Sequence, residues 1–366
     1  MTSRDANKDS SVNRKLERIG SSSRQSNEPV IQTDKEVSKF KVDGDDILPE
    51  ILLAQDDLSL EQDEHLDTIG RNIKQLKYGD LSGKVDALVI INEVITKNKE
   101  TAESVLRNSN FLIDSISRVM HDFFNKTPDK IPLKFGKYFI SIANKVCSIK
   151  EIMMNVDERK ILILVEQLLL NLLIPDLDKL GERGEGQAIF RNINNTILRI
   201  LENCSPTTVF VNFLTLLKKY KGYSKLEKLS GIIVKCLLKV TRVLDQLIDN
   251  ISIERVLLAI HEYLLTKPNS HTSKSDEVGI RITKTIVNEL VKLKRDSIMD
   301  YYGAVESHMV QDIYINKWIK IILMSISDDD GKRPRLAEDF TQEVDYARDL
   351  SKEDRQALMS LIDETQ

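Results

Sequence analysis

The stretch from Ile232 to Leu265, IIVKCLLKVTRVLDQLIDNISIERVLLAIHEYLL, decides the fold class. In its first half the apolar residues Ile233, Leu237, Val240 and Leu244 recur every three or four positions. In its second half Ile253, Val256, Leu257, Ile260 and Leu264 repeat the i, i+3, i+4, i+7 pattern. Residues so spaced share one face of an α-helix, so each half is an amphipathic helix with one buried stripe. Between them, Asn250 and Ser252 carry side-chain oxygens suited to the free N–H groups that open the second helix. Working outward, the same stripe appears at Phe210, Phe213, Leu214 and Leu217, and again at Ile282, Ile286, Leu290 and Leu293.

Turn-forming residues punctuate these stripes at Tyr78-Gly79-Asp80, Thr127-Pro128-Asp129, Gly181 to Gly186, Ser205-Pro206, Lys221 to Ser224 and Lys267 to Asp276. Ser205-Pro206 reads as an N-cap followed by proline in the first helical position. Counting between the breaks predicts about twelve helices, hence about six helix pairs of roughly 40–45 residues, the period of HEAT repeats. One such pair cannot bury its own apolar face, so consecutive pairs stack into a continuous core. The expected fold is an all-α, HEAT-type solenoid, with the turns inside each pair on one edge and the turns between pairs on the other.

Composition agrees. Aromatic residues make up only 5% of the 366 residues, with Gly at 14 and Pro at 8, so the apolar content is mainly Leu, Ile and Val among Lys, Glu and Asn, which favours helices. A formal charge of -4 argues against a nucleic-acid partner, because phosphate binding needs a positive field. The longest apolar run, Ile161 to Ile174, is broken by Glu166, Gln167 and Asn171 and is too short for a bilayer span, so it predicts a buried helix and no membrane partner. Cys147, Cys204 and Cys236 stand far apart in apolar surroundings and read as reduced core thiols of a cytoplasmic protein. Neither they nor the dispersed histidines His65, His121, His261, His271 and His308 have metal-ligand spacing, and His261 reads as a core-edge residue. The glycines from 181 to 186 lack the Lys-Ser/Thr of a phosphate loop. No cofactor is predicted, and no nucleophile, base and orienting group can be assembled into an active site.

The helical region is expected at residues 66–327. Residues 1–41 are polar and aperiodic and are expected to be disordered. Residues 42–65 form an acidic tether: from Asp43 to Asp67 there are ten acids and no Lys or Arg, around the apolar patch Ile47 to Leu53. Such a segment is suited to a partner, to its own domain, or to a life as a solvated linker. Residues 328–366 read as a linker, with Lys332, Arg333 and Arg335 beside three aspartates, followed by a short helix.

Three blocks then point to a family. They are Asn194 to Leu217 (NNTILRILENCSPTTVFVNFLTLL), Ile232 to Leu265, and Lys274 to Lys294 (KSDEVGIRITKTIVNELVKLK), with Leu81 to Asn98 as an opening pair. In order and spacing they resemble the last TOG-like domain of the Minispindles and ch-TOG microtubule polymerases. The pairs Glu254-Arg255 with Ile260-His261, then Ile280-Arg281 and Lys292 to Lys294, carry most of the specificity. The resemblance implies a non-enzymatic microtubule-associated adaptor or regulator at spindle poles or centrosomes. Its implied partners are tubulin or microtubules, bound weakly or indirectly, and a coiled-coil adaptor of the TACC type. Where tubulin-binding members carry Trp in the first intra-pair turn, this chain has Leu81, with Lys84 in the basic role, and its one Trp318 reads as core. It looks like a stand-alone or shortened relative. A general HEAT-type scaffold for transport or translation machinery is the alternative reading.

The candidate partner-binding residues are the cations and aromatics expected on the intra-pair edge. The main group is Lys218, Lys219, Tyr220, Lys221, Tyr223 and Lys225, joined by Lys84, by Lys126 and Lys130 near Pro128, and by Lys267 and Lys274. Clustered cations steer acidic partners, and interleaved aromatic rings add contact area.

Overall fold

A computed structural model describes residues 67–327, apart from residues 98, 125–131, 182–183, 224–225, 267–273, 310–311 and 313. The arm, tether and C-terminal tail expected from the sequence lie outside the described residues. Among the described residues the chain is helical throughout, with fifteen α-helices, four short 3-10 turns and no strand.

Twelve of the helices form six successive pairs. They are α1 (Thr68–Tyr78) and α2 (Leu81–Lys97); then, after the short α3 (Lys99–Arg107), α4 (Ser109–Phe124) and α5 (Leu133–Cys147). The brief α6 (Lys150–Met154) leads to α7 (Glu158–Asn171) and α8 (Glu185–Asn203), followed directly by α9 (Pro206–Lys219) and α10 (Glu227–Thr241). A single turn, α11 (Leu244–Leu247), precedes α12 (Ile253–Leu265) and α13 (Lys274–Lys294), and the last pair is α14 (Ile298–Val305) and α15 (Ile315–Ser327). The first helices of the pairs, α1, α4, α7, α9, α12 and α14, pack side by side in that order as one layer. In the second layer α2, α5 and α8 stack together, as do α10, α13 and α15. This is the all-α, HEAT-type solenoid that the periodicity predicts, and the three extra short helices are connectors between pairs.

The stripes read in the sequence are the core. Ile233, Leu237, Val240 and Leu244, Phe210 to Leu217, and Ile253 to Ile260 join one continuous buried cluster running from Ile69 to Ile322. Leu293, the last member of the α13 stripe, is 38% exposed because the helix ends one residue later, beyond the cover of its neighbours. Ser252 caps α12 by accepting from the Arg255 N–H at 3.4 Å, and α9 opens on Pro206 behind Ser205. The polar interruptions of the apolar run in α7 do not face solvent: Glu166, Gln167 and Asn171 are all buried. His261 is buried as well. Trp318 is half-buried against the core, its ring 5.8 Å from that of Tyr314. All three cysteines are free, and burial pushes the Cys204 and Cys236 thiols up to about 12, far from thiolate reactivity at neutral pH. No helix among the described residues is long and apolar enough to cross a membrane.

The glycine-rich turn before α8 is a packing device. Gly181 and Gly184 take left-handed φ values of 84° and 70°, and a Cβ on Gly186 would stand 2.0 Å from the Leu177 carbonyl oxygen. Gly231, inside α10, has open space around its missing Cβ. Gly186→Ala therefore lowers stability by about 1–3 kcal/mol through overpacking, while Gly231→Ala raises it by about 0.5–1 kcal/mol by removing backbone entropy from the unfolded chain, both read from denaturant midpoints.

Carboxylates cap the first and last helices. Asp67 accepts from the Gly70 N–H at 2.7 Å and from Ser104 and Asn108, tying the start of α1 to α3. Asp312 accepts from the N–H groups of Tyr314, Ile315 and Asn316 and from the Tyr302 hydroxyl. Burial works to raise both pKa values, but the hydrogen bonds, with Arg107 beside Asp67, prevail and hold both below the usual 3.8. A depressed carboxylate pKa gives stability that is complete above the unfolded value and is lost as pH falls from there through the folded value. Acid titration should thus show destabilisation setting in below about pH 4, and the double variant Asp67→Asn/Asp312→Asn, weaker at neutral pH, should lose less of its stability over that range.

Candidate functional site

The loops inside the pairs follow the C-terminal ends of α1, α4, α7, α9, α12 and α14. Because these six helices run side by side in one layer, their C-terminal ends and the loops beyond them share one side of the solenoid. The sequence-predicted residues of that side fall into three groups.

Lys218 and Lys219 end α9, Tyr220 and Lys221 follow directly, and each of the four reaches a neighbouring pair. Lys219 Nζ lies 2.6 Å from Glu166 Oε1 in α7, and Tyr220 donates its hydroxyl to the same oxygen at 2.5 Å. Glu166 and Tyr220 are buried, and burial beside the carboxylate pushes the phenol far above its ordinary range, so it stays a donor. Lys221 is buried too, and its Nζ donates to the carbonyls of Tyr263 and Thr266 at 3.1 and 2.6 Å while lying 4.5 Å from the Tyr263 ring centre. That ammonium satisfies carbonyls at the end of α12 that have no partner within the helix. Its pKa is lowered, by burial first, with Asp276 working against the shift. The expected exposed patch is corrected at Tyr220 and Lys221: both side chains are withdrawn from solvent and clamp α9 to α7 and α12. Lys218 remains at the surface in a 2.8 Å pair with Glu262, and Tyr223 is half-buried.

Lys84 is corrected in the same way. Its Nζ donates at 2.9 Å to the carbonyls of both Leu76 and Lys77, closing the end of α1, and the residue is 9% exposed. What the first turn presents to solvent is Tyr78 and Leu81, 56% and 49% exposed. Beneath them Lys77 forms a buried 2.9 Å pair with Asp114. A groove of about 830 Å³ opens beside this turn, lined by Tyr78, Leu81, Arg118, Asp122, Phe123 and Pro132 among others. Arg118 and Asp122 pair at 3.3 Å across one turn of α4, and His121 stands 3.5 Å from the same carboxylate. Burial raises the Asp122 pKa and these neighbours pull it down, with a net lowering. Sequence reasoning passed over Arg118 and Asp122, although their i, i+4 spacing at the end of α4 was available as a signal.

Lys126, Lys130, Lys225 and Lys267 lie outside the described residues. Lys274 opens α13, but its side chain is likewise not described. The structure thus brings Lys218 to Lys221 together, sets Lys84 at the first turn, and leaves the continuity of a basic ridge as a proposal. Among the described residues no cluster of His, Cys, Asp or Glu could hold a metal ion.

No family model matches the chain, and no solved structure matches it. Curated proteins do. The chain is similar to the MOR1 proteins. It is 26% identical to Protein MOR1 of Oryza sativa over 243 residues, 60% of this chain, and 23% identical to Protein MOR1 of Arabidopsis thaliana over 272 residues, 69% of this chain. It is also 22% identical over 138 residues to Protein mini spindles of Drosophila melanogaster and 23% identical over 222 residues to Centrosomal protein 224 of Dictyostelium discoideum. These are distant relatives, and the chain spans only 12% and 14% of the length of the two MOR1 proteins.

The buried carboxylate of Glu166 is the centre of the α9 clamp. Glu166→Ala strands the Tyr220 hydroxyl in the core and should lower stability by about 2–4 kcal/mol, whereas Lys218→Ala, which breaks an exposed pair, should change it by less than about 1 kcal/mol. Denaturant melts of the two variants, compared by midpoint at equal slope, measure the difference.

Proposed function

We propose that this chain is a microtubule-associated adaptor or regulator that works by binding proteins rather than by catalysis, acting at spindle poles or centrosomes. The supporting observation is that the chain aligns over 138 residues with Protein mini spindles and over 222 residues with Centrosomal protein 224, whose names refer to spindle and centrosome. The six-pair architecture and the block order that resembles Minispindles and ch-TOG agree with that reading. Partners bind the side that carries the intra-pair loops, where the exposed Tyr78 and Leu81 provide an apolar anchor and the surface pair of Lys218 with Glu262 provides a polar rim.

The chemistry of this side favours a coiled-coil partner of the TACC type over tubulin. A flat acidic surface is held best by an aromatic wedge flanked by free cations. Here Lys84 and Lys221 are committed to helix ends, and by the resemblance Leu81 stands where the Trp would be, beside the exposed Tyr78. An acidic amphipathic helix needs an apolar anchor and fewer charges, which this side offers. Contact with microtubules is then weak or passes through the adaptor.

The test is co-sedimentation of the full chain with stabilised microtubules alongside pull-down on acidic coiled-coil proteins. Capture of the coiled coil with weak sedimentation is expected, and the exposed double variant Tyr78→Ala/Leu81→Ala should weaken the capture by about tenfold or more at unchanged thermal stability. Binding to neither target, or a set of cellular partners without any cytoskeletal protein, overturns the reading.

A further inference from the structure

The outer face of α2 carries an apolar stripe that its own fold leaves uncovered. Leu81, Val85 and Val89 follow one another at four-residue spacing and are 49%, 36% and 40% exposed. Residues four apart sit one above another on a helix, so the three make a single ridge about 12 Å long.

Charge is placed unevenly around this ridge. On the side of α5, Lys145 Nζ bonds Asn92 Oδ1 of α2 at 2.8 Å, which fixes the alignment of the two helices. Lys137 and Lys134 precede Lys145 on α5 and are exposed. At a rise of about 1.5 Å per residue they lie about 12 and 16 Å back along the axis, level with the first turns of α2, because α2 and α5 are both second members of consecutive pairs and run the same way. The acids of α2 that face solvent, Asp86 and Glu93, fall on the other flank, about 100° and 80° around the helix from Val85. The ridge is therefore apolar along its crest and basic along the α5 side.

A segment of this chain outside the described residues matches that pattern. Ile47, Leu48, Ile51 and Leu52 also recur at four-residue spacing, flanked by Asp43, Asp45, Asp46, Glu50, Asp56 and Asp57 with no Lys or Arg among them. We infer that residues 45–57 dock on the α2 face, with their apolar residues against Leu81, Val85 and Val89 and their acids against Lys134, Lys137 and Lys145. The connection reaches. The segment is joined to the domain at Asp67, whose carboxylate bonds to Ser104 of α3 and to Asn108 just after it, beyond the C-terminal end of α2. The thirteen residues from 54 to 66 span up to about 43 Å when extended, against about 25 Å for the whole length of α2. Tethering at that length gives the segment a high effective concentration over the ridge, so a modest apolar contact suffices for occupancy. This inference concerns the chain's contact with itself; because Leu81 also belongs to the proposed partner anchor, the docked segment competes with a partner there, and its tests read the docking without any microtubule protein present.

The experiment uses the full chain with a benzophenone amino acid in place of Leu52. Cross-links within one molecule to peptides covering residues 81–97 or 134–145 are expected. Cross-links to other helices, links to a second copy, or none at all overturn the inference. Hydrogen exchange gives an independent reading: amides of residues 45–57 should be protected by at least about tenfold over the unstructured rate. That protection should disappear in Val85→Glu/Val89→Glu and in Leu48→Asp/Leu52→Asp, and should shrink towards about 1 M salt, where charges are screened beyond about 3 Å. Val85 and Val89 are surface residues, so thermal melting of the first variant should match that of the parent. Exchange at the unstructured rate in the parent, or protection unmoved by the α2 substitutions, sinks the proposal.

Discussion

The structure depends on the inability of any helix pair to cover itself. Each α-helix of a pair buries one stripe against its partner and must bury another against the next pair, so the apolar surface left open by α4 and α5 is closed by α7 and α8, and so on to α15. With one uninterrupted core from Ile69 to Ile322, each interior pair has neighbours on both sides. Stability in such an array is close to a sum of pair and interface terms. This makes the polar contacts between pairs more consequential than their number suggests, because they set the register of stacking that uniform Leu and Ile surfaces leave loosely specified.

Those contacts share a design. Two buried lysines, Lys84 and Lys221, place their ammonium groups on carbonyls at the C-terminal end of a helix, α1 in one case and α12 in the other. The last carbonyls of a helix lack partners and carry the negative end of its dipole, so a cation there both satisfies acceptors and gains field energy. Between these two sites stands Glu166, whose buried carboxylate is shared by Tyr220 and Lys219. A tyrosine donor and a lysine supply the polar contacts that a lone buried carboxylate would lack. The α9–α10 loop thereby ties α9 to the pairs before and after it.

This explains what could and could not be read from the residues. The stripes at Phe210 to Leu217, Ile233 to Leu244 and Ile253 to Ile260 reported their burial directly, because helical periodicity is a local property. The turn at Lys221 to Ser224 was equally plain, but the direction of the side chains beside it was not. Whether Lys221 points to water or to the Thr266 carbonyl depends on a contact 45 residues away in sequence. The long aliphatic stem of lysine makes either outcome compatible with the same local pattern. Charge clustering read Lys218 to Lys221 as one patch, where packing buries Tyr220 and Lys221, holds Lys219 on Glu166 and leaves Lys218 at the surface in its pair with Glu262. Glu166, for its part, looked like an interruption of an apolar run, and only the fold shows that it is what Tyr220 requires.

The same consideration bears on recognition. Distant relatives at 22–26% identity can keep an array of helix pairs, since apolar residues of similar volume replace one another in a stacked core with little loss. A binding side is less tolerant, because it relies on a few exposed side chains. In the first turn here the exposed side chains are aromatic and apolar, Tyr78 and Leu81, while the ammonium of Lys84 is turned inward and closes α1. Moving one ammonium from the surface to a helix end exchanges long-range attraction for local order. At Lys84 and again at Lys221 the ammonium closes a helix end, so these two cations add to a stiffer row of loops and contribute little to long-range attraction of an acidic surface.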